Sequence, residues 1–475
     1  MRLLTCSNSA PRLISDGGML KPSPDVPGGL VPIIAALLQE VGGHWIFAAP
    51  GGDRRTEMNM PPVQRESPWH PLPLDEGLFE RQRESINIRT LLWLFHYLHD
   101  TSVQPSFDQS TKPAWQAYRQ VNREFSDVLV NLHQNDSDEV VLVNDFHLML
   151  VPLMFSDSTQ KRNSTLAYFH HVPWCEPDYF GILPEWMRSE ILRSLLRCDF
   201  VGFHCRRWGD AFLACCHRFL PDAEVVGRTV AYRDHETVVA TAPGPIDAQV
   251  LAELRDQPET ERWRNVLLER ASGREIITRV DRIDLWKNLI RGFSAYEMLL
   301  RQNPSLVADF WFCAIVTPPR LLTDRHKNYQ ALCEETVKRI NEQYSGEREA
   351  IGLIYWDGSG RQRNRAAAAL TIGAATLVNP TYDGLNMVAK ESIVLNPRAP
   401  LLLSVNAGVY PQLATCATAI QPFDVAATAA ALAQVTEGRA ASQPDAADTC
   451  LASVQGENAA KWLQAILTRS QRNDL

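Results

Sequence analysis

The stretch Glu275-Ile276-Ile277-Thr278-Arg279-Val280-Asp281-Arg282-Ile283-Asp284-Leu285-Trp286-Lys287-Asn288 decides the class of fold. Its first six residues are mostly apolar and β-branched and stop at a charged run, which predicts a short buried strand over Glu275–Val280. From Asn288 to Gln302 the pattern becomes that of an amphipathic helix. A strand, a polar loop and a helix in immediate succession form one arm of a parallel α/β sheet.

The same alternation extends in both directions. Upstream, strands are predicted at Arg2–Ser7, His44–Ala49, Glu139–Val143, Thr165–His170 and Asp199–Phe203, with helices at Leu30–Glu40, Trp115–Leu132, Glu185–Leu196 and Trp208–Phe219. Downstream, strands are predicted at Asp309–Ile315, Gly352–Tyr355, Thr376–Val378 and Pro400–Ser404. Their helices are Lys327–Gln343, Asn364–Ile372, Met387–Leu395 and Val425–Thr436. Two such series predict two doubly wound domains covered by helices on both faces. Ala242-Pro243-Gly244-Pro245 can continue neither a strand nor a helix and marks the boundary. Gly51–Asp75 reads as a surface loop, and Ala440–Asn458 as a loop leading to a last helix at Ala459–Arg472. At about 100–200 residues per domain, two large domains suit a chain of 475 residues.

Composition narrows the function. With 45% hydrophobic and 21% charged residues the chain is ordinary globular protein. A net charge of −8 argues against a dedicated nucleic-acid binder, which needs a basic surface. No apolar run of membrane-spanning length occurs, and the N-terminus reads as a strand and not a signal peptide. The ten cysteines have no Cys-x-x-Cys or Cys/His spacing, which points to a reducing cytoplasm. No His-x-x-x-His pair and no strand-end Asp-x-Asp occurs, so no metal site is expected.

Ligands of doubly wound sheets bind beyond the carboxyl ends of the strands. Five polar segments fall there. Val26-Pro27-Gly28-Gly29 precedes a helix and allows close backbone approach to a phosphate or sugar, or is a simple turn. Asp145, in Val143-Asn144-Asp145-Phe146-His147, is either an N-cap or a hydroxyl ligand. His170 and His171 end a strand before Pro173, and His170 reads as a core histidine. Arg282 and Lys287 lie five apart across a strand-to-helix loop and can converge on one anion; only eight of the 47 basic residues are lysine. In Asn379-Pro380-Thr381-Tyr382-Asp383-Gly384-Leu385-Asn386-Met387-Val388-Ala389-Lys390-Glu391, free N–H groups near Asn386 can hold a phosphate. There Asp383 can take sugar hydroxyls and Glu391 ribose hydroxyls, although Glu391 also reads as an exposed helix carboxylate.

These segments, in this order, resemble the trehalose-6-phosphate synthases and their relatives over nearly the whole chain. Further matches are Trp115-Gln116-Ala117-Tyr118, Arg339-Ile340-Asn341 and Gln421-Pro422-Phe423-Asp424. The wording is nearer to actinobacterial than to enterobacterial synthases. The resemblance implies an α/β GT-B fold with two Rossmann-like domains facing a central cleft: residues 1–242 on the acceptor side, 243–455 on the donor side, and a helix in 456–475 packing back on the first. It implies a retaining, metal-independent glycosyltransferase with no cofactor, moving a hexosyl group from GDP- or UDP-glucose to a sugar phosphate such as glucose 6-phosphate.

Carried over position by position, Arg282 and Lys287 match the pair that grips the donor diphosphate. Asp383 and the backbone of Gly384, Leu385, Asn386 and Met387 match donor contacts, and Glu391 matches the ribose ligand. His171 and Gly29 also match donor-side positions. Asp145, Trp45 and Trp93 match acceptor-side positions, and Arg320 an arginine on the acceptor phosphate. Two positions depart. Ser9 stands where the family has an arginine, and Glu84 where it has a tyrosine, with Arg89 close by in sequence. Losing a cation and a phenol should weaken phosphate binding by a few kcal/mol, at roughly 1.5–3 kcal/mol per charged hydrogen bond. The donor half therefore reads as intact and the acceptor half as altered. Two alternatives follow: a transferase or pseudoglycosyltransferase with a cyclitol, amino-sugar or unphosphorylated acceptor, and a catalytically silent sensor of nucleotide sugars or sugar phosphates. The expected partners are small molecules, not nucleic acid or membrane, with homo-oligomerisation left open.

Overall fold

The computed structural model describes residues 1–11, 13–16, 19–22, 29–50, 67–159, 162–318, 323–344, 348–356, 363–438 and 444–468. The chain divides into two units, one running to Gly244 and rejoined by the segment from Ala459, the other spanning Pro245–Asn458.

The first unit is built on β1 (Arg2–Ser7), β4 (Gly43–Pro50), β5 (Trp69–Leu74), β6 (Glu139–Asn144), β7 (Thr165–His170), β8 (Phe200–Phe203), β9 (Ala223–Val226), β10 (Thr229–Tyr232) and β11 (His235–Thr241). A small antiparallel hairpin, β2 (Leu13–Asp16) with β3 (Met19–Pro22), stands apart. The main sheet runs β5-β4-β1-β6-β7-β8-β11-β10-β9, parallel as far as β11. Gly43 is required where β4 meets β1: its φ is +131°, and a Cβ there would lie 2.0 Å from the Leu3 carbonyl oxygen.

The second unit carries β12 (Glu275–Arg282), β13 (Phe310–Thr317), β14 (Ile351–Tyr355), β15 (Ala375–Val378), β16 (Leu401–Ser404) and β17 (Ala417–Ile420). The sheet is wholly parallel, ordered β14-β13-β12-β15-β16-β17. Alternate residues of β13 go to opposite cores. Trp311, Cys313 and Ile315 join one, Phe310, Phe312, Ala314 and Val316 the other. Burial on both faces explains why this strand reads as a continuous apolar run. Capping sets several helix starts: Asp424 accepts from the Ala427 N–H at 2.8 Å and Asp247 from the Val250 N–H at 3.0 Å.

Both series of strands and helices stand where the periodicity places them, and four readings are corrected. Within Gly51–Asp75, residues 51–66 lie outside the described residues, but Trp69–Leu74 is a strand and not loop. Pro71 and Pro73 disguise it; β5 is the sheet edge, where a missing N–H is tolerated. Pro444–Gln455 is a helix and not loop, opened by a proline at its first position. The antiparallel β9–β10–β11 meander was not anticipated, and neither was β17. Finally, Cys416 and Cys450, 34 residues apart, form a disulfide, whereas the spacing had read as unpatterned thiols; the other eight cysteines are free and buried. The last helix, Ala459–Ile466, donates from Trp462 to the Ala242 carbonyl oxygen at 3.2 Å and sets that indole edge-on to Phe169. Residues beyond 468 lie outside the described residues.

Candidate active site

In the second unit β12 and β15 are hydrogen-bonded neighbours, so the loops leaving their carboxyl ends are adjacent. The first carries Arg282 and Lys287, the second Asp383 to Met387. The Lys287 ammonium donates to Asp383 Oδ2 at 2.6 Å and lies 3.8 Å from Asp281 Oδ1. Two segments 96 residues apart are thereby joined. Burial alone would lower the pKa of Lys287, but Asp383 and Asp281 outweigh it and the net shift is upward. Arg282 holds Asp284 through both Nε and Nη2 at 2.7 Å, and that carboxylate raises its pKa. Both cations are fixed and charged, each on a carboxylate of the chain.

Asn386, at φ +80°, turns the chain into the helix Met387–Leu395. Its Oδ1 accepts from the Ala389 N–H at 3.2 Å and its Nδ2 donates to Asp383 Oδ2 at 3.0 Å. The Leu385 carbonyl accepts from the Val409 N–H, and the Asp383 carbonyl from the Gly408 N–H. Gly384 is part of this turn. Met387, half-buried, opens the helix, and Glu391, one turn in, meets Arg363 Nη2 at 3.3 Å. An exposed helix carboxylate is therefore not what Glu391 is: its side chain is 20% exposed.

Beneath the cations lies a residue to which the sequence reading gave no role. Arg279 is fully buried in β12. Its guanidinium donates to Asn379 Oδ1, to Asp281 Oδ2 at 2.9 Å and to the Lys287 carbonyl oxygen. Gly292 makes room for it, since a Cβ at that position would lie 2.5 Å from Arg279 Nη1. An arginine inside an otherwise apolar strand was the available signal, because buried charges are found only when paired.

In the first unit β1, β6 and β7 are consecutive neighbours, and their carboxyl ends carry Ser9, Asp145 and His171. Asp145 sits at φ +72°, an uncommon backbone state for a residue with a Cβ. It is no side-chain cap. Its Oδ1 accepts from the His171 N–H at 3.2 Å, and its Oδ2 lies 3.6 Å from His147 Nδ1. Burial pushes its pKa up to about 7 against the pull of those backbone N–H groups, and burial pushes His147 down to about 3. His171 is held neutral, well below its usual pKa, first by burial and then by His204. Its Nε2 meets Asn144 Oδ1 at 3.0 Å. The Asn144 amide donates to Thr5 Oγ1 at 2.9 Å and to the Cys6 carbonyl at 3.1 Å, so its oxygen faces the imidazole. His171 therefore donates from Nε2 and presents Nδ1 as an acceptor. His170, fully buried against the Tyr168 hydroxyl at 2.8 Å, is a core histidine.

The acceptor-side positions are scattered among different settings. Trp45 is fully buried and donates to Ser7 Oγ at 2.9 Å, and Ser7 in turn donates to the Ser9 carbonyl at 2.7 Å. Trp93 is buried against His99. Glu84 and Arg89 pair with each other at 2.7 Å on a half-exposed face. The helix Arg83–Leu92 is wound with hydrogen bonds between residues five apart, which puts such residues on one face. Gly29, at φ −77°, precedes the helix Leu30–Val41. Gly28 and Arg320 lie outside the described residues. Among the described residues no group of three or more His, Cys, Asp or Glu is placed to hold a metal.

Two Rossmann-like units, each with polar groups at the carboxyl ends of its central strands, give the fold class GT-B. The profile of glycosyltransferase family 20 matches residues 21–472, and the chain belongs to that family. An alpha,alpha-trehalose-phosphate synthase (UDP-forming) of Botryotinia fuckeliana is 30% identical over 372 residues, covering 77% of this chain and 68% of the relative. A second such synthase, from Aspergillus niger, is 28% identical over 423 residues, 87% and 85% of the two chains. The structure of the Burkholderia xenovorans synthase in complex with glucose-6-phosphate superposes with TM-score 0.82 over 98% of both chains at 22% identity. The N-terminal domain of a Candida albicans trehalose-6-phosphate phosphatase superposes with TM-score 0.80 over 97% of this chain and 94% of that one, at 21% identity.

Proposed function

We propose that the protein is a retaining glycosyltransferase of the trehalose-phosphate synthase type, moving glucose from GDP- or UDP-glucose to a sugar phosphate such as glucose 6-phosphate. The observation that carries this reading is the chain of contacts Arg279–Asp281–Lys287–Asp383–Asn386 at the ends of β12 and β15. It holds a charged lysine at a helix start, beside an arginine of fixed orientation. A donor diphosphate would replace Asp284 and Asp383 as the partners of Arg282 and Lys287. As the anomeric C–O bond breaks, the negative charge would develop against cations and backbone N–H groups already in place. Glu391 would take the ribose hydroxyls, at the cost of its contact with Arg363. On the other unit, Asp145 and His171 Nδ1 would accept from sugar hydroxyls. With no nucleophile and acid carboxylate pair proposed, the acceptor hydroxyl would approach the face that the diphosphate leaves and give its proton to a donor phosphate oxygen, retaining configuration. The roles of Gly29, Ser9, Trp45 and Trp93 follow from the resemblance alone, and no cofactor or metal enters the proposal.

Incubation with GDP-glucose or UDP-glucose, with and without glucose 6-phosphate, tests it through nucleotide release and product mass. A disaccharide phosphate is expected. Donor binding without transfer to any acceptor would leave the silent sensor standing. A second reading, an altered acceptor, is favoured by one observation: Arg89, close by Glu84 in sequence, is already paired with it. Transfer to a cyclitol, an amino sugar or an unphosphorylated sugar in preference to glucose 6-phosphate would select it.

A further inference from the structure

The first unit holds an open groove of about 770 Å³ that shares no residue with the site above. That volume is typical of small-molecule sites. Two helices wall it, Thr111–Leu132 and Glu185–Leu195, and the turn between β10 and β11 adds Tyr232 and Arg233 to its lining. Its lining carries five cationic side chains against two carboxylates. One carboxylate is already committed: Glu190 accepts from the Trp115 indole N–H at 2.8 Å and pairs with Arg119. Arg197 has only a long, exposed contact with Asp157 at 3.5 Å. Lys112, Arg193 and Arg233 have no carboxylate partner among the described residues. Arg233 stands over the Tyr232 ring at 5.3 Å, on a backbone with φ +56°.

The wall between these cations is aromatic. Trp186 is 40% exposed. Its indole is set edge-on to Trp115 at 5.8 Å, and Trp115 is itself stacked on Tyr118 at 4.8 Å, so the platform is fixed. Unpaired guanidinium groups beside an exposed, rigid indole supply two kinds of recognition: charge-assisted hydrogen bonds for phosphate oxygens and a flat face for a ring.

We infer that this groove is a second binding site, for a phosphorylated ring compound, with the phosphate on Arg193 and Arg233 and the ring on Trp186. The ring belongs to one of two sources, a nucleotide base or a sugar; both share the same phosphate chemistry. The inference does not rest on the proposed transfer reaction.

The test is tryptophan fluorescence, with ADP, glucose 6-phosphate and inorganic pyrophosphate as separate probes. It is run on the whole chain carrying Arg282→Ala and Lys287→Ala, so that diphosphate binding at the donor loops does not contribute. Saturable quenching by ADP or by glucose 6-phosphate is expected, and the more effective of the two identifies the source. Adding Arg193→Glu with Arg233→Glu should raise the midpoint by roughly tenfold or more, since charged hydrogen bonds are lost. Trp186→Phe should remove the quenching while calorimetry still detects the bound ligand. Absence of saturable quenching, or quenching untouched by the charge reversals, would overturn the site. Pyrophosphate binding as tightly as the ring compounds would overturn the role of Trp186. Circular dichroism on each variant separates loss of the site from loss of the fold.

Discussion

Replacing Arg279 by leucine removes a buried guanidinium and leaves its partners in place. Asp281 would keep only the Lys287 ammonium, 3.8 Å away, in a setting where burial already raises its pKa. The Lys287 carbonyl and Asn379 Oδ1 would each lose a charged donor. Breaking a buried pair by removing one member costs about 3–5 kcal/mol, most of it the penalty on the charge left behind. For a unit of this size each kcal/mol lowers the midpoint by about 2–4 °C, so a fall of roughly 6–20 °C is expected. Scanning calorimetry of the whole chain should show it in the component belonging to the second unit, with the first unmoved. Asp281→Asn in the Arg279→Leu background deletes the stranded charge and should restore about half of the loss. A fall of under about 2 °C, or a double variant no more stable than the single, would refute the claim that Arg279 is the paired charge beneath Lys287.

Lys287→Ala and Arg282→Ala should each cut kcat by about 10²–10³ with the fold retained, as for a lost group that stabilises developing charge; steady-state turnover of the nucleotide sugar checks this. Gly292→Ala, a change that favours a helix on propensity, should instead destabilise, because its Cβ would drive Arg279 Nη1 out of place. The same calorimetry reads it, and it should add nothing in the Arg279→Leu background. Asp145 has a folded pKa raised to about 7. Its contribution is full below the unfolded value near 3.9 and is lost as pH rises through 7. Asp145→Asn, which cannot ionise, should therefore gain on the wild type by roughly 2–4 kcal/mol between pH 4 and pH 8 in urea midpoints; parallel profiles would count against a buried, strained carboxylate.

The sheets were legible because both are mostly parallel and buried, so each strand is a short apolar run between polar punctuation. Where a strand broke that pattern the reading failed: β5 carries Pro71 and Pro73 at an edge, and the β9–β11 meander is antiparallel. The polar loops at the ends of β12 and β15 were legible for a related reason. Polar residues at the ends of apolar strands have nowhere to go but a ligand or each other. Which of the two applies is invisible locally: Lys287 finds Asp383 across 96 residues, and Cys416 finds Cys450 across 34. The pairing of Glu84 with Arg89 was hidden by helical winding, since only a five-residue repeat puts them on one face.

A fold shared with both synthases and the N-terminal domain of a phosphatase cannot by itself distinguish an enzyme from a silent scaffold. The charge arrangement of the second unit favours the proposed transferase. Four carboxylates, Asp281, Asp284, Asp383 and Glu391, hold four cations, Arg279, Arg282, Lys287 and Arg363. A scaffold gains little from this, because buried ion pairs seldom beat well-packed apolar residues. For the proposed transferase it would solve a problem of timing. The cations must be oriented before the donor arrives and free to turn to it afterwards, and a carboxylate is the group a diphosphate can replace like for like. Lys287 shows the distinction most clearly: Arg279 fixes its backbone while Asp383 holds its side chain, so the loop stays in place when the ammonium changes partner.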